Sequence, residues 1–444
     1  MSLPAALTWL QLLPKGTRFS CAGAPAWFAE MLREHANGDS GASRAIVNWG
    51  KPWSDLSAEV SNANAIVAIN CPHVTTPHLI ATGYSYARRF AVLPSLENAR
   101  WFICLDTASA AAASFSLYTP SRRSAHVKKA VARMLAKLRL PGWYRDEIVV
   151  ASRVAPPLET KIAELFPGHT IRLALSSGAP EPAINRKPSA SVINAATGEV
   201  LGFVKIAASK VSREIVEHEA ETLAGLALRD LRLATPRLFF AGEVDGRYLA
   251  VQSPLPGAPA PAAFTQQHAG FLQSLRCGSS KPAAETNMVV ALPHRLDALR
   301  PARPHLRETF DSILPTLEQT PVISTIVHGD FAPWNLRMHD GKIAAFDWEY
   351  AELDGLPLID QIHFRLQLGL EMEKWDLAAA AVFLRGMSDD AFDAEQIRAI
   401  QAVYLLDNLV RLYGEGYSAD HDMVALYQDL LKGLAIRRRE AALV

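Results

Sequence analysis

Asp330, Asn335 and Asp347 are the residues of this chain whose types and spacing could carry chemistry. They lie in residues 322–349, which read VISTIVHGDFAPWNLRMHDGKIAAFDWE. An apolar, β-branched run at 322–327 predicts a strand that ends in His328-Gly329-Asp330. Asn335 lies five residues beyond Asp330, and a turn at Asp340-Gly341 predicts a return through 342–346 to Asp347. A hairpin-like return of this kind would bring the three side chains to one end of two neighbouring strands. Two carboxylates and an amide converging there suit Mg2+, a hard cation that takes carboxylates, waters and phosphate oxygens. The chemistry implied is phosphate transfer.

Other elements must position this stretch. Residues 171–175, 189–194 and 200–207 are predicted strands, the last two joined by a turn at Thr197-Gly198. A helix is expected over 211–228, with Ile215, Leu223 and Leu226 toward one side, then strands at 238–241 and 248–252. Three strands, a helix and two strands make a small antiparallel sheet with one helix on it. Residues 254–263 (PLPGAPAPAA) predict an extended connector, because proline fixes φ and lacks a backbone donor. Helical patterns dominate after it, at 264–275, 395–412 and 423–434.

Before about residue 168 the pattern is mixed. Short apolar runs at 64–70, 100–105 and 114–118 predict strands, and 3–13 predicts a helix packed on its own domain. Residues 124–140 read as an amphipathic helix, with Val127, Val131, Leu135 and Leu138 at helical spacing. Lys128, Lys129, Arg133, Lys137 and Arg139 make the rest of it basic, which reads as a solvated face. No catalytic constellation occurs in this region.

The spacing of His328, Asp330 and Asn335 is the H-x-D-x-x-x-x-N arrangement of protein kinases, followed by an acidic metal ligand. Gly329 replaces the usual Arg, and Asp347-Trp348-Glu349 stands where D-F-G would be. With Phe346 before it, the pattern resembles the aminoglycoside phosphotransferase and choline kinase family, a small-molecule branch of the kinase-like fold. The resemblance covers about residues 170–444. It implies an α+β, bilobal protein-kinase-like fold, with a small antiparallel sheet lobe at 169–257 and a mainly helical lobe at 258–444. An additional α/β or α+β domain, residues 1–168, would precede it.

The resemblance also implies roles. Asp330 would orient the acceptor hydroxyl and take its proton, and His328 would buttress the loop. Asn335 and Asp347 would hold Mg2+. Lys205, on the third strand of the small sheet, would contact the phosphates of ATP or GTP, and Glu219 would pair with it, with Glu217 and Glu221 as neighbouring alternatives. Ser177 and Gly178 are candidates in the phosphate-covering turn at 176–185, which lacks G-x-G-x-x-G and holds two prolines. Residues 251–257, including Gln252, look like the hinge that meets the nucleotide base. Asp360, in Pro357-Leu358-Ile359-Asp360, resembles the family's P-x-x-D segment and would tie the following helix to the catalytic loop. No A-P-E follows Asp347, which sets the chain apart from protein kinases.

The bulk numbers exclude other classes. Lys plus Arg equals Asp plus Glu at 45 each, so no overall field points to nucleic acid. Cys21, Cys71, Cys104 and Cys277 are far apart and form no C-x-x-C pair, which argues against a zinc site or a disulfide framework. A reduced, cytoplasmic setting is expected. No basic residue precedes the apolar run near the N-terminus, and no apolar stretch reaches the roughly 20 residues of a membrane span. The expected reaction is transfer of the γ-phosphate onto a hydroxyl of a sugar, an aminoglycoside or an amino alcohol. Glu349, Glu352, Asp354, Glu371, Glu373 and Asp376 could face a cationic acceptor. Two other readings stand beside this one: an inactive kinase-like module that binds nucleotide or a partner, and a bifunctional chain with a second activity in 1–168. The sequence does not specify the oligomeric state.

Overall fold

In the computed structural model, residues 3–441 are described except 37–42, 53–59, 61, 72, 118–122, 141, 179–184, 230–234, 300 and 301. The chain is a mixed α+β protein with one large sheet and many helices. It divides into two compact units, residues 1–217 with 237–254, and residues 218–236 with 255–444.

The first unit is built on an eleven-stranded sheet. Its front strands are β1 (Arg18–Ala22), β2 (Arg44–Trp49), β3 (Ala65–Ile69), β4 (Tyr86–Leu93), β5 (Trp101–Cys104) and β6 (Asp146–Ser152). Its later strands are β7 (Ile171–Ser176), β8 (Ser189–Asn194), β9 (Val200–Ile206), β10 (Leu238–Val244) and β11 (Arg247–Gln252). The order is β1-β2-β3-β6-β4-β5-β7-β8-β9-β11-β10. The three strands β1, β2 and β3 run parallel, and every other pairing is antiparallel. All five residues of β3 are buried, as expected of a β-branched strand enclosed on both faces. The expected order of strands and helix over 171–252 is present, with the helix at Lys210–Leu228.

The sheet crosses residue 168 without a break. Trp101 and Phe102 of β5 stand in register with Ser176 and Leu175 of β7. The apolar core crosses as well, since Trp9, Phe90 and Phe102 belong to one buried cluster with Leu173, Val204 and Val251. Residues 5–12 form a 3-10 helix whose Leu7, Trp9 and Leu12 sit fully inside that cluster.

The run at 114–118 is a correction. Its described part, Ser114–Leu117, is a 3-10 turn rather than a strand. Buried Ser114 explains this. Its hydroxyl donates to Ala110 O and accepts from Cys104 N, so it continues the short helix before it.

The second unit is mainly helical and carries two three-stranded sheets. Strands β12 (Ala258–Pro259), β15 (Leu336–His339) and β16 (Lys342–Ala345) form one, in the order β12-β15-β16. Strands β13 (Arg276–Pro282), β14 (Pro321–Val327) and β17 (Glu352–Gly355) form the other, in the order β13-β14-β17. The hairpin at Asp340-Gly341 is therefore β15–β16, and its neighbour is β12 of the Pro-rich connector. The expectation that β14 and the returning strand are sheet neighbours is not met, because the chain changes sheets between residues 327 and 336. The helix Ala394–Gly414 is buried at twelve positions and forms the centre of this unit's core.

Candidate active site

The loop between β14 and β15 is fixed chiefly through the polar atoms of residues 328–330 and Asn335. Gly329 has φ +78, and a Cβ there would lie 2.1 Å from Tyr350 O. No side chain fits, which is why glycine stands where protein kinases carry arginine. Asp360 accepts hydrogen bonds from the amides of His328 (2.7 Å) and Gly329 (3.0 Å). Burial pushes the Asp360 carboxyl up to about 7, against the two donated amides and with the charge of Asp330 adding to the rise.

His328 is fully buried against Trp348, with ring centroids 4.5 Å apart. Its Nδ1 accepts from Asp330 N (3.3 Å) and its Nε2 lies 3.0 Å from Phe346 O. A carbonyl can only accept, so Nε2 carries the hydrogen and the ring is neutral. Both nitrogens are committed to backbone, and the ring ties the loop to the end of β16.

Asp330 is held by side chains at both oxygens. Asn335 donates through Nδ2 to Asp330 Oδ2 (2.7 Å) and to Asp330 O (3.0 Å), and neither bond uses its amide oxygen. His363 Nε2 lies 2.9 Å from Oδ1, and Tyr404 OH lies 3.2 Å from His363 Nδ1. Arg411 is half-buried behind the loop, donating to Gly329 O (3.2 Å) and Asn408 Oδ1 (2.8 Å) and lying over the Tyr350 ring. Burial would raise the Asp330 carboxyl. The hydrogen bond and charge of His363, with Arg411 beyond it, outweigh burial and hold it below its ordinary value of 3.8.

Asp347 lies just past the end of β16. Phe346 N donates to Asn335 O (3.1 Å), so Asn335 and Asp347 flank the open end of one hairpin, opposite its turn at Asp340-Gly341. Asp347 takes φ +70, an uncommon conformation for a residue with a side chain. Carboxylate oxygens of Glu219, Asp347 and Glu349 lie within 4.8 Å of one another. Glu219 is almost fully buried, and its helix is anchored by His218 Nε2 at 2.8 Å from Ala351 O. Three carboxylates, two of them buried, make an all-oxygen set of the kind that a hard divalent ion such as Mg2+ takes.

The other sequence candidates lie in the first unit. Lys205 is half-buried on β9, in register with Ser189 and Ala250. Gln252 is buried at the end of β11, and its amide oxygen has no hydrogen-bond partner among the described residues. Ser177 is fully buried, with its hydroxyl donating to Ala99 O (3.0 Å) and its amide to Arg100 O (3.0 Å). Gly178 has φ +82, and a Cβ there would meet Lys187 O at 2.3 Å. Both features serve the packing of this turn. Residues 179–184 of the expected phosphate-covering turn lie outside the described residues.

Several acids named for an acceptor have structural partners. Asp354 pairs with Lys281 (2.7 Å), Glu373 with Arg365 (3.6 Å), and Asp376 caps the helix at Leu377–Gly386. Glu352 accepts from Asp354 N (3.1 Å), and Glu349 belongs to the carboxylate group. The sequence reading missed His363, Tyr404 and Arg411. His363 had a usable signal, since it lies three residues after Asp360 on a helix and so shares its face. Arg411 had none, because only tertiary packing of the Ala394–Gly414 helix brings it to Gly329.

Residues 197–404 match the family model described as the phosphotransferase enzyme family. It is the family to which the His328-Gly329-Asp330 motif pointed. No curated protein matches the chain. Among solved structures, the chain is similar to a thermostable mutant of an aminoglycoside phosphotransferase in ternary complex with ADP and hygromycin B, at 16% identity, 62% of this chain, 97% of that one and a TM-score of 0.44. It is also similar to a choline kinase from Streptococcus pneumoniae, at 16% identity, 63% of this chain, 97% of that one and a TM-score of 0.42. Among the described residues, no helix is long and apolar enough to cross a membrane.

Proposed function

We propose that the protein is a small-molecule kinase that moves the γ-phosphate of ATP or GTP onto a hydroxyl. The observation that supports this most is the double hold on Asp330, by Asn335 at one carboxylate oxygen and His363 at the other. Each oxygen keeps a lone pair, so a carboxylate with a lowered pKa can still accept from a hydroxyl. The acceptor oxygen would bond to the γ-phosphorus as the bond to the β–γ bridging oxygen breaks. The hydroxyl proton would pass to Asp330, and the nucleoside diphosphate would leave. The transition state for such transfer is loose, so orientation by Asp330 matters more than its basicity.

Asn335 and Asp347 would hold Mg2+, which when bound neutralises phosphate charge. Lys205 would add positive charge near the leaving group, with Glu219 supporting that end of the site. Gln252 and the segment after it would face the base. Ser177 and Gly178 would shape the phosphate-covering turn through their backbone alone. In this reading residues 169–257 act as the sheet lobe and 258–444 as the helical lobe. The four cysteines are free thiols, which suits a reduced, cytoplasmic setting. The acceptor would be a small hydroxyl compound.

The test is nucleotide consumption by the full chain with Mg-ATP or Mg-GTP across a panel of sugars, amino alcohols and aminoglycosides. An acceptor should be found whose phosphorylation is lost in Asp330→Asn and Asp347→Asn while both stay folded. Wild-type rates in both variants would overturn the reading.

A further inference from the structure

The helix Arg123–Lys137, in the first unit, exposes the side that its sequence pattern would bury. Val127, Val131 and Met134, with Leu138 just past the helix end, are 64%, 47%, 54% and 59% exposed. They fall at i, i+4, i+7 and i+11, within roughly 60° of one another around the helix axis. The opposite side does the packing, where Ala136 is buried with Ala111, Phe115 and Ile103. So the helix is docked by alanines and presents its large aliphatic side chains outward. Scattered exposed apolar residues need no explanation, but a contiguous stripe of them marks an interaction surface.

The charges say what it meets. The helix, RSAHVKKAVARMLAK, holds no acidic residue. On the wheel, exposed Lys128 stands roughly 100° to one side of the stripe, and exposed Arg133 and Lys137 roughly 80–120° to the other. Cations flank the apolar stripe on both sides. That is the arrangement of a helix lying in a membrane interface, with aliphatic side chains dipped among acyl chains and long basic side chains reaching lipid headgroups. A second copy of the chain docking through the same stripe would oppose two helices of like charge. The stripe also lacks the aromatic anchors that carry affinity at protein interfaces.

We propose that the Arg123–Lys137 helix is a docking surface for a bilayer containing anionic phospholipid. It would hold the protein against the membrane reversibly, with the helix parallel to the surface. Its 15 residues span about 22 Å, too short to cross a hydrocarbon core of roughly 30 Å, so it lies on the bilayer rather than through it.

The test is flotation of the full chain with vesicles of phosphatidylcholine holding about 30% phosphatidylglycerol, against phosphatidylcholine alone. Binding is expected to the anionic vesicles only, and to weaken with salt. Val127→Glu with Met134→Glu should reduce it at least about tenfold, as should Lys128→Glu with Lys137→Glu. All four positions are exposed, so unchanged thermal melts and circular dichroism should accompany the loss. Equal binding by these variants, equal binding to neutral vesicles, or no vesicle binding at all would overturn the proposal. So would stripe-dependent dimerisation in sedimentation, or stripe-dependent capture of an acidic amphipathic peptide without vesicle binding.

Discussion

Two turns of this chain were singled out for the same ligand end, and they use their polar atoms in opposite ways. In the loop at 328–335, residues from distant segments converge on Asp330. His363 comes from one helix, Arg411 from another and Asp360 from the start of the first, and the carboxylate is left oriented with lone pairs to spare. In the turn after β7, polar atoms are consumed by the protein itself. The Ser177 hydroxyl and amide are both bonded to the segment before β5. The lesson is that a site residue is recognised by what its neighbours leave it free to do.

The contrast can be broken most directly at Asp330. Asp330→Asn should cut turnover by roughly 10³-fold with the fold retained, measured by coupled nucleotide consumption and circular dichroism. Gly329→Ala tests whether the loop depends on its backbone. Its methyl group would strike Tyr350 O at positive φ, so it should lower unfolding free energy by about 3 kcal/mol in denaturant titration. His363→Phe should lower kcat roughly 10²-fold with little change in KM for nucleotide, and His363→Gln should recover part of the loss. An unchanged kcat in His363→Phe would remove the positioning role.

A pH experiment refines the same point. The folded Asp330 carboxyl lies below its ordinary value of 3.8, so its charge stabilises the fold above that pH. The stability difference between the wild type and Asp330→Asn should hold at neutral pH and shrink as pH falls below about 4, by thermal melts. The smallest effect is expected at Ser177→Ala. Turnover should stay within about twofold, with a stability loss of roughly 1 kcal/mol. A large loss of turnover there would return Ser177 to the phosphate-binding turn.

The sequence was most legible where structure is local. The strand 189–194 and the helix at 210–228 follow from periodicity, and the 340–341 hairpin from its turn residues. The spacing of Asp330 and Asn335 was legible because both belong to one loop. His363, Tyr404 and Arg411 were not, since their approach depends on how helices pack. Strands β1 and β4 lacked the apolar contrast that marks 64–70, because polar or charged residues interrupt them, whereas β2 and β6 carry short apolar runs at 45–47 and 148–151 that the sequence reading missed. The stripe at Val127 was legible as a pattern but not in its direction, because periodicity shows that one helix face is apolar and not which face meets the core.

The pairing of β5 with β7 has a consequence for how the protein can be divided. If the chain were cut near residue 168, β7 would lose its neighbour and present bare amides and carbonyls at a new sheet border. Such a border is a template for strands of other molecules, so the later part made alone should self-associate through β7. The front of the chain, whatever else it does, therefore shields the border of β7 and carries the sheet's margin outward to β1.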